Sequence, residues 1–228
     1  MKNFHSFRRG AFGLAFAGLA VAAIASEASF AWHDDHEDEV KEERKLEGFT
    51  KVRVKGAVEL YLVAGKAQKV SVETAADRLE NVETYVRGDT LIIDMSNGKG
   101  RHFWRDADVN VSISMPSLEA IEVSGAVDAE VSGVDSDSLK IDIKGAGDLD
   151  IEGKCKTLVI DVRGAGDIDA EGLKCENVEL DIRGAGSATV FASNEIDADV
   201  AGVASISVYG KPKTVRKHMG GFGSISIH

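Results

Sequence analysis

Apolar and polar residues alternate along most of the chain, and in its second half glycine interrupts the alternation at regular intervals. Aligned on a shared glycine, the segments read GAVDAEV from Gly125, GAGDLDI from Gly145, GAGDIDA from Gly164, GAGSATV from Gly184, GVASISV from Gly202 and GFGSISI from Gly221. Successive spacings are 20, 19, 20, 18 and 19 residues. One period-2 pattern precedes each glycine, with apolar pairs Ile121/Val123, Ile141/Ile143, Ile160/Val162, Leu180/Ile182 and Ala198/Val200. Another follows it, with Ala129/Val131, Leu149/Ile151, Ile168/Ala170, Ala188/Val190, Ile206/Val208 and Ile225/Ile227. Alternation of this kind is the mark of strands with one buried face. The glycines supply bends where backbones approach closely. A second corner lies nine residues before each glycine, at Pro116, Ser136, Cys155, Cys175, Ser193 and Pro212.

Strand, glycine bend, strand and polar corner, repeated with a period near 20, describe a solenoid. The pattern predicts an all-β fold, a right-handed parallel β-helix with about 19–20 residues per coil in the C-terminal half. Stacked coils would stand about 4.8 Å apart. The first half follows the scheme less regularly. Val52, Val54, Gly56, Ala57, Leu60 and Leu62 reproduce the template, and Val70/Val72, Leu91/Ile93 and Val109/Val111/Ile113 read as further strands. Residues 75–82 (AADRLENV) form the one candidate helix, and residues 96–106 an exposed loop.

Three stretches carry a family likeness: FTKVRVKGAVELYLVAG, DVNVSISMPSLEAIEVSGAVD and the repeated KGAGDLDI, RGAGDIDA and RGAGSATV. In these the chain resembles the putative auto-transporter adhesin head GIN domain, a bacterial family of unknown function, over roughly Phe49 to Ile227. The resemblance implies a secreted β-helical domain at the cell envelope. It brings no catalytic residues with it.

The N-terminus reads as a targeting segment. Lys2, Arg8 and Arg9 precede an apolar run of 16 residues from Gly10 to Ala25, with small residues beyond it. That run is short of the ~20 residues a spanning helix needs. It suits a secretory signal peptide over residues 1–31, an uncleaved anchor being the alternative. Residues 32–47 are nearly all charged and read as a solvated linker, leaving 48–228 as the domain. His33 and His36 among Asp34, Asp35, Glu37 and Asp38 make that linker a second, metal-buffering candidate. The expected location is exported, in the periplasm or on the surface of a bacterium. A formal charge of −11 argues against nucleic acid as a partner.

A solenoid converts each repeated residue into a row. Glu122, Asp142, Asp161, Asp181 and Asp199 form one acidic row, beside Lys144, Arg163 and Arg183. Asp148, Asp150, Asp167 and Asp169 make a two-by-two carboxylate array, read either as a solvated face or as a Ca²⁺ site. Cys155 and Cys175 occupy the same corner on neighbouring coils, so a disulfide between them is expected over a free thiol pair. Lys99, Arg101, His102, Phe103, Trp104 and Arg105 form the one basic, aromatic stretch, suited to an anionic glycan, a lipid headgroup or a partner. The same Phe103 and Trp104 could instead cover an open coil end.

There is no phosphate-binding glycine loop, H-E-x-x-H or nucleophile elbow in the sequence. The expectation is therefore a structural, adhesive or ligand-binding protein without catalysis or cofactor. Its partner would be an envelope glycan or protein, with contact to a membrane peripheral at most. Weak homo-oligomerisation through the coil ends is also expected. The rival is a calcium-dependent carbohydrate-active enzyme that uses the array.

Overall fold

In a computed structural model, residues 39–96 and 109–228 are described. They form ten strands: β1 (Glu39–Arg44), β2 (Lys51–Ala64), β3 (Lys69–Ala75), β4 (Glu83–Arg87), β5 (Thr90–Asp94), β6 (Asn110–Met115), β7 (Ala120–Val200), β8 (Val203–Tyr209), β9 (Thr214–Met219) and β10 (Phe222–Ile227). The sheet runs β1-β3-β6-β2-β7-β8-β10, with β5 also on β2, β4 on β5, and β9 on β7. Among the described residues no helix is long and apolar enough to cross a membrane.

The fold is all-β, and its pairing is mixed rather than purely parallel. β2 runs parallel to β5, β6 and β7, and β8 runs parallel to β7 and β10. The pairs β1/β3, β3/β6 and β4/β5 are antiparallel. Chain length explains the β4/β5 pair. Parallel neighbours need a long crossover, whereas β4 and β5 are joined only by Gly88 and Asp89, too short for anything but a hairpin.

Two further expectations are corrected. Residues 75–82 supply only a 3-10 turn at Leu79–Asn81 rather than a helix. Glu39–Arg44, expected within a solvated linker, pairs in register with β3 from Glu39↔Ala75 to Arg44↔Val70. The strand remains mostly exposed, and Lys41–Glu73 (2.9 Å) and Lys69–Glu43 (2.6 Å) hold it by its charges. The signal peptide and residues 32–38 of the linker, His33 and His36 among them, lie outside the described residues.

β7 is an 81-residue extended segment that passes over itself. β2 lies along its first part in register, Val52 opposite Ile121, Gly56 opposite Gly125 and Leu62 opposite Val131. A Cβ built on Gly125 would come closer than 3.0 Å to the Gly56 carbonyl oxygen. The same holds for Gly145 on Gly125, Gly164 on Gly145, Gly184 on Gly164, Gly202 on Gly184 and Gly221 on Gly202. The glycines thus form one column of backbone packed on backbone. Gly164 combines this contact with φ +144°, so a side chain there is excluded twice.

The alternating apolar residues face a single core. The pairs before and after each glycine, from Ile121 to Val208, are buried and belong to one cluster that includes Leu60, Leu62, Leu91 and Ile93. Only the last pair departs, Ile225 being half-buried and Ile227 38% exposed. Cys155 and Cys175 are joined by a disulfide with Cα atoms 4.5 Å apart. Closure of a loop of this length stabilises a fold by about 3 kcal/mol.

Replacement of Gly164 by Ala is expected to cost about 3 kcal/mol, by steric conflict with the Gly145 carbonyl and by backbone strain. Gly48→Ala, where nothing lies within 4 Å of the added carbon, should stay within about 0.5 kcal/mol of the parent. Chemical denaturation of both variants measures the contrast.

Candidate functional site

Because side chains alternate across a strand, every residue that separates two core positions points outward. Three residues after the column glycine the outward position holds Glu59, Asp128, Asp148 and Asp167, then Ser187, Ser205 and Ser224. Five residues after it stand Tyr61, Glu130, Asp150 and Asp169, then Thr189, Ser207 and Ser226. The pairing aligns Glu59 with Asp128, Tyr61 with Glu130, Ser187 with Ser205, Ser205 with Ser224, and Thr189 with Ser207. The result is one face with an acidic region and a hydroxyl region. They meet where the Ser187 backbone N–H and Oγ both donate to Asp167 Oδ1, at 2.9 and 2.5 Å.

Two grooves run over the acidic region. The larger, about 420 Å³, is floored by Ala57, Ala126, Ala146 and Ala165 and edged by Glu59, Asp128, Asp148 and Asp167. Small residues beside the glycine column make it concave. The second, about 250 Å³, lies between Tyr61, Glu130, Asp150 and Glu152. The predicted carboxylates are therefore divided: Asp148 and Asp167 edge the first groove, and Asp150 the second. Asp169 accepts the Glu171 backbone N–H at 3.1 Å. Among the described residues no group of three or more His, Cys, Asp or Glu side chains is placed to hold a metal ion.

The negative potential of this face is visible at Tyr61. Its phenol is held above the ordinary tyrosine range, first by the charge of Glu59, then by partial desolvation and by Glu130 and Asp128. Glu59 and Tyr61 were not singled out by the repeat. They stand three and five residues after Gly56, the offsets of Asp148 and Asp150 from Gly145, so extending the template one unit upstream finds them.

The second acidic row is compensated within its own strands. Asp142, Asp161 and Asp181 pair with Lys144, Arg163 and Arg183 two residues on, at 3.3, 2.6 and 2.5 Å. Glu122 instead reaches across to Arg53 of β2, at 2.7 Å. The corners are tied between successive passes by Lys154–Asp135 (3.1 Å) and Lys156–Asp137 (2.7 Å). These exposed pairs align the passes more than they stabilise them.

Lys99, Arg101, His102, Phe103, Trp104 and Arg105 lie outside the described residues. The strand leading to them ends in a firm anchor. Asp94 accepts the Ser96 backbone N–H at 3.0 Å and Oγ at 2.5 Å, and pairs with Lys55 at 2.9 Å. The Ser96 hydroxyl, with smaller contributions from its N–H and from Lys55, holds the Asp94 carboxyl below the usual range against the opposing effect of burial.

Comparison with known proteins bears on family and fold. Residues 48–212 match the family described as putative auto-transporter adhesin, head GIN domain. No curated protein matches. Among solved structures, a putative adhesin from Bacteroides fragilis NCTC 9343 is similar with a TM-score of 0.67 and 24% identity, over 84% of this chain and 98% of that one. A putative adhesin from Parabacteroides merdae ATCC 43184 gives a TM-score of 0.50 and 16% identity, over 85% and 97%. At these identities the likeness is one of fold.

Glu59→Gln should let Tyr61 ionise at lower pH than in the parent chain, because the largest charge opposing the phenolate is removed. Tyrosinate absorbance, with Tyr61→Phe to assign the transition, reads the change. An unmoved transition would mean that the acidic columns do not act together.

Proposed function

The chain belongs to the putative auto-transporter adhesin head GIN domain family, and on that premise we propose an exported, non-catalytic protein that works by surface contact at the bacterial envelope. In this reading the sheet is a right-handed β-solenoid of about 19–20 residues per coil, handed as parallel β connections generally are. Its outward columns present the same group again and again at the strand spacing of about 4.8 Å. A repeating polymer, such as an envelope glycan, or a repetitive protein surface can meet several such groups at once. Each contact is weak, but together they bind.

The observation that carries the reading is the glycine column. It holds successive passes close enough for outward residues to align, and it places the acidic and hydroxyl columns on one face. Export is supported by the basic start and the short apolar run before Ala31. A disulfide between Cys155 and Cys175 also suits an oxidising compartment. The segment from Lys99 to Arg105 is proposed as a second contact, of opposite charge.

The test is binding of the purified chain to an array of envelope polysaccharides, repeated with Asp128→Ser, Asp148→Ser and Asp167→Ser singly and together. Affinity for the bound glycan should fall roughly fivefold per substituted position. Release of reducing ends that requires Ca²⁺ and disappears in the triple variant would replace this reading with a carbohydrate-active enzyme.

A further inference from the structure

The sign of the surface charge reverses toward the last strands. The chain as a whole carries −11, yet from Lys211 to His218 (KPKTVRKH) there are three lysines, one arginine and no acid. Residues 213–218 are all exposed. Arg216 is held by Glu195 and Asp197. Lys211, Lys213 and Lys217 have no carboxylate partner among the described residues.

Apolar groups are exposed in the same region. Phe222 is 80% exposed, and Val203, its register neighbour on β8, is 57% exposed. Val215 and Ile227 on β9 and β10 are exposed as well. Lys217 has an unusual place among them. It pairs with Ala198, a buried residue of the core row, so it stands where every earlier strand in that row carries an apolar side chain.

We propose that this end of the molecule, formed by β9 and β10 with Val203, docks on a bilayer surface rich in anionic lipid. The three lysines would meet headgroup phosphates, while Phe222 and Val203 enter the boundary between headgroups and acyl chains. Charge complementarity selects this occupant. A further layer of strand would bury the Lys217 ammonium against the Ala198 row without a counter-charge, which is costly and is a known guard against edge pairing. A headgroup layer leaves the same ammonium hydrated and gives it a phosphate. Neither element suffices alone, because stable surface binding combines a basic patch with an apolar one.

The experiment is co-sedimentation of the purified chain with vesicles of phosphatidylglycerol and phosphatidylcholine in equal parts, against phosphatidylcholine alone. Binding is expected only to the anionic vesicles and should weaken as salt rises. Lys211→Ala, Lys213→Ala and Lys217→Ala should each lower the partition constant about fivefold, and the triple variant about a hundredfold. Phe222→Ser should lower it about tenfold. Lys66→Ala with Lys140→Ala, at exposed lysines outside β9 and β10, should leave it within about twofold. Equal melting temperatures would show that the variants fold. Equal binding to both vesicles, full binding by the triple variant, or an unaffected Phe222→Ser would overturn the proposal. So would sedimentation velocity showing a dimer that Phe222→Ser dissolves.

Discussion

Backbone packed directly on backbone at one column of glycines is the constraint on which the other features rest. At Gly125, Gly145, Gly164, Gly184, Gly202 and Gly221 there is no room for a side chain, because the carbonyl of the preceding column glycine fills it. The contact fixes the height of each pass over the last. It also fixes register, because a strand slipped by one residue would turn its apolar row outward. Burial of Ile, Val and Leu supplies most of the driving force, but it is non-directional and would accept other arrangements. The glycine column selects among them.

The same constraint sets the composition of the exterior. Once register is fixed, outward residues at equal offsets must be neighbours, and like charges then accumulate. Two solutions are visible. In the row of Asp142, Asp161 and Asp181, a cation two residues further on answers each carboxylate. On the other face the acids Glu59, Asp128, Asp148 and Asp167 have no such row of cations among the described residues, and the charge of Glu59 helps to hold the Tyr61 phenol above its ordinary range. Among the described residues this acidic column therefore keeps its charge beside the groove. That is why the proposed function places binding there.

Much of this was legible in the sequence, for a physical reason. A repeat whose glycines must stack leaves a periodic trace, so the strands from Ile121 to Val208, their buried pairs and the Cys155–Cys175 bridge all follow from spacing. Where the chain does not repeat, the trace is lost. The hairpin of β4 and β5 is set by the two-residue link Gly88-Asp89, and the pairing of β1 with β3 by charges scattered over Lys41, Glu43, Lys69 and Glu73. Residues 75–82 carry an apolar spacing compatible with a helix, yet they form only a 3-10 turn between strands. Of the candidate site, the columns were readable but their division between two grooves was not. That division depends on the small side chains Ala57, Ala126, Ala146 and Ala165, whose role appears only in three dimensions.

In-register stacking of successive passes is tested most directly by engineered cross-links on the outward hydroxyl columns. Ser187 lies opposite Ser205, whereas Ser207 lies opposite Thr189. A chain with Ser187→Cys and Ser205→Cys should therefore oxidise to a second disulfide beside Cys155–Cys175, read by mass spectrometry of linked peptides, while Ser187→Cys with Ser207→Cys should keep its new thiols free. Equal linkage in both chains, or linkage only in the second, would contradict the account.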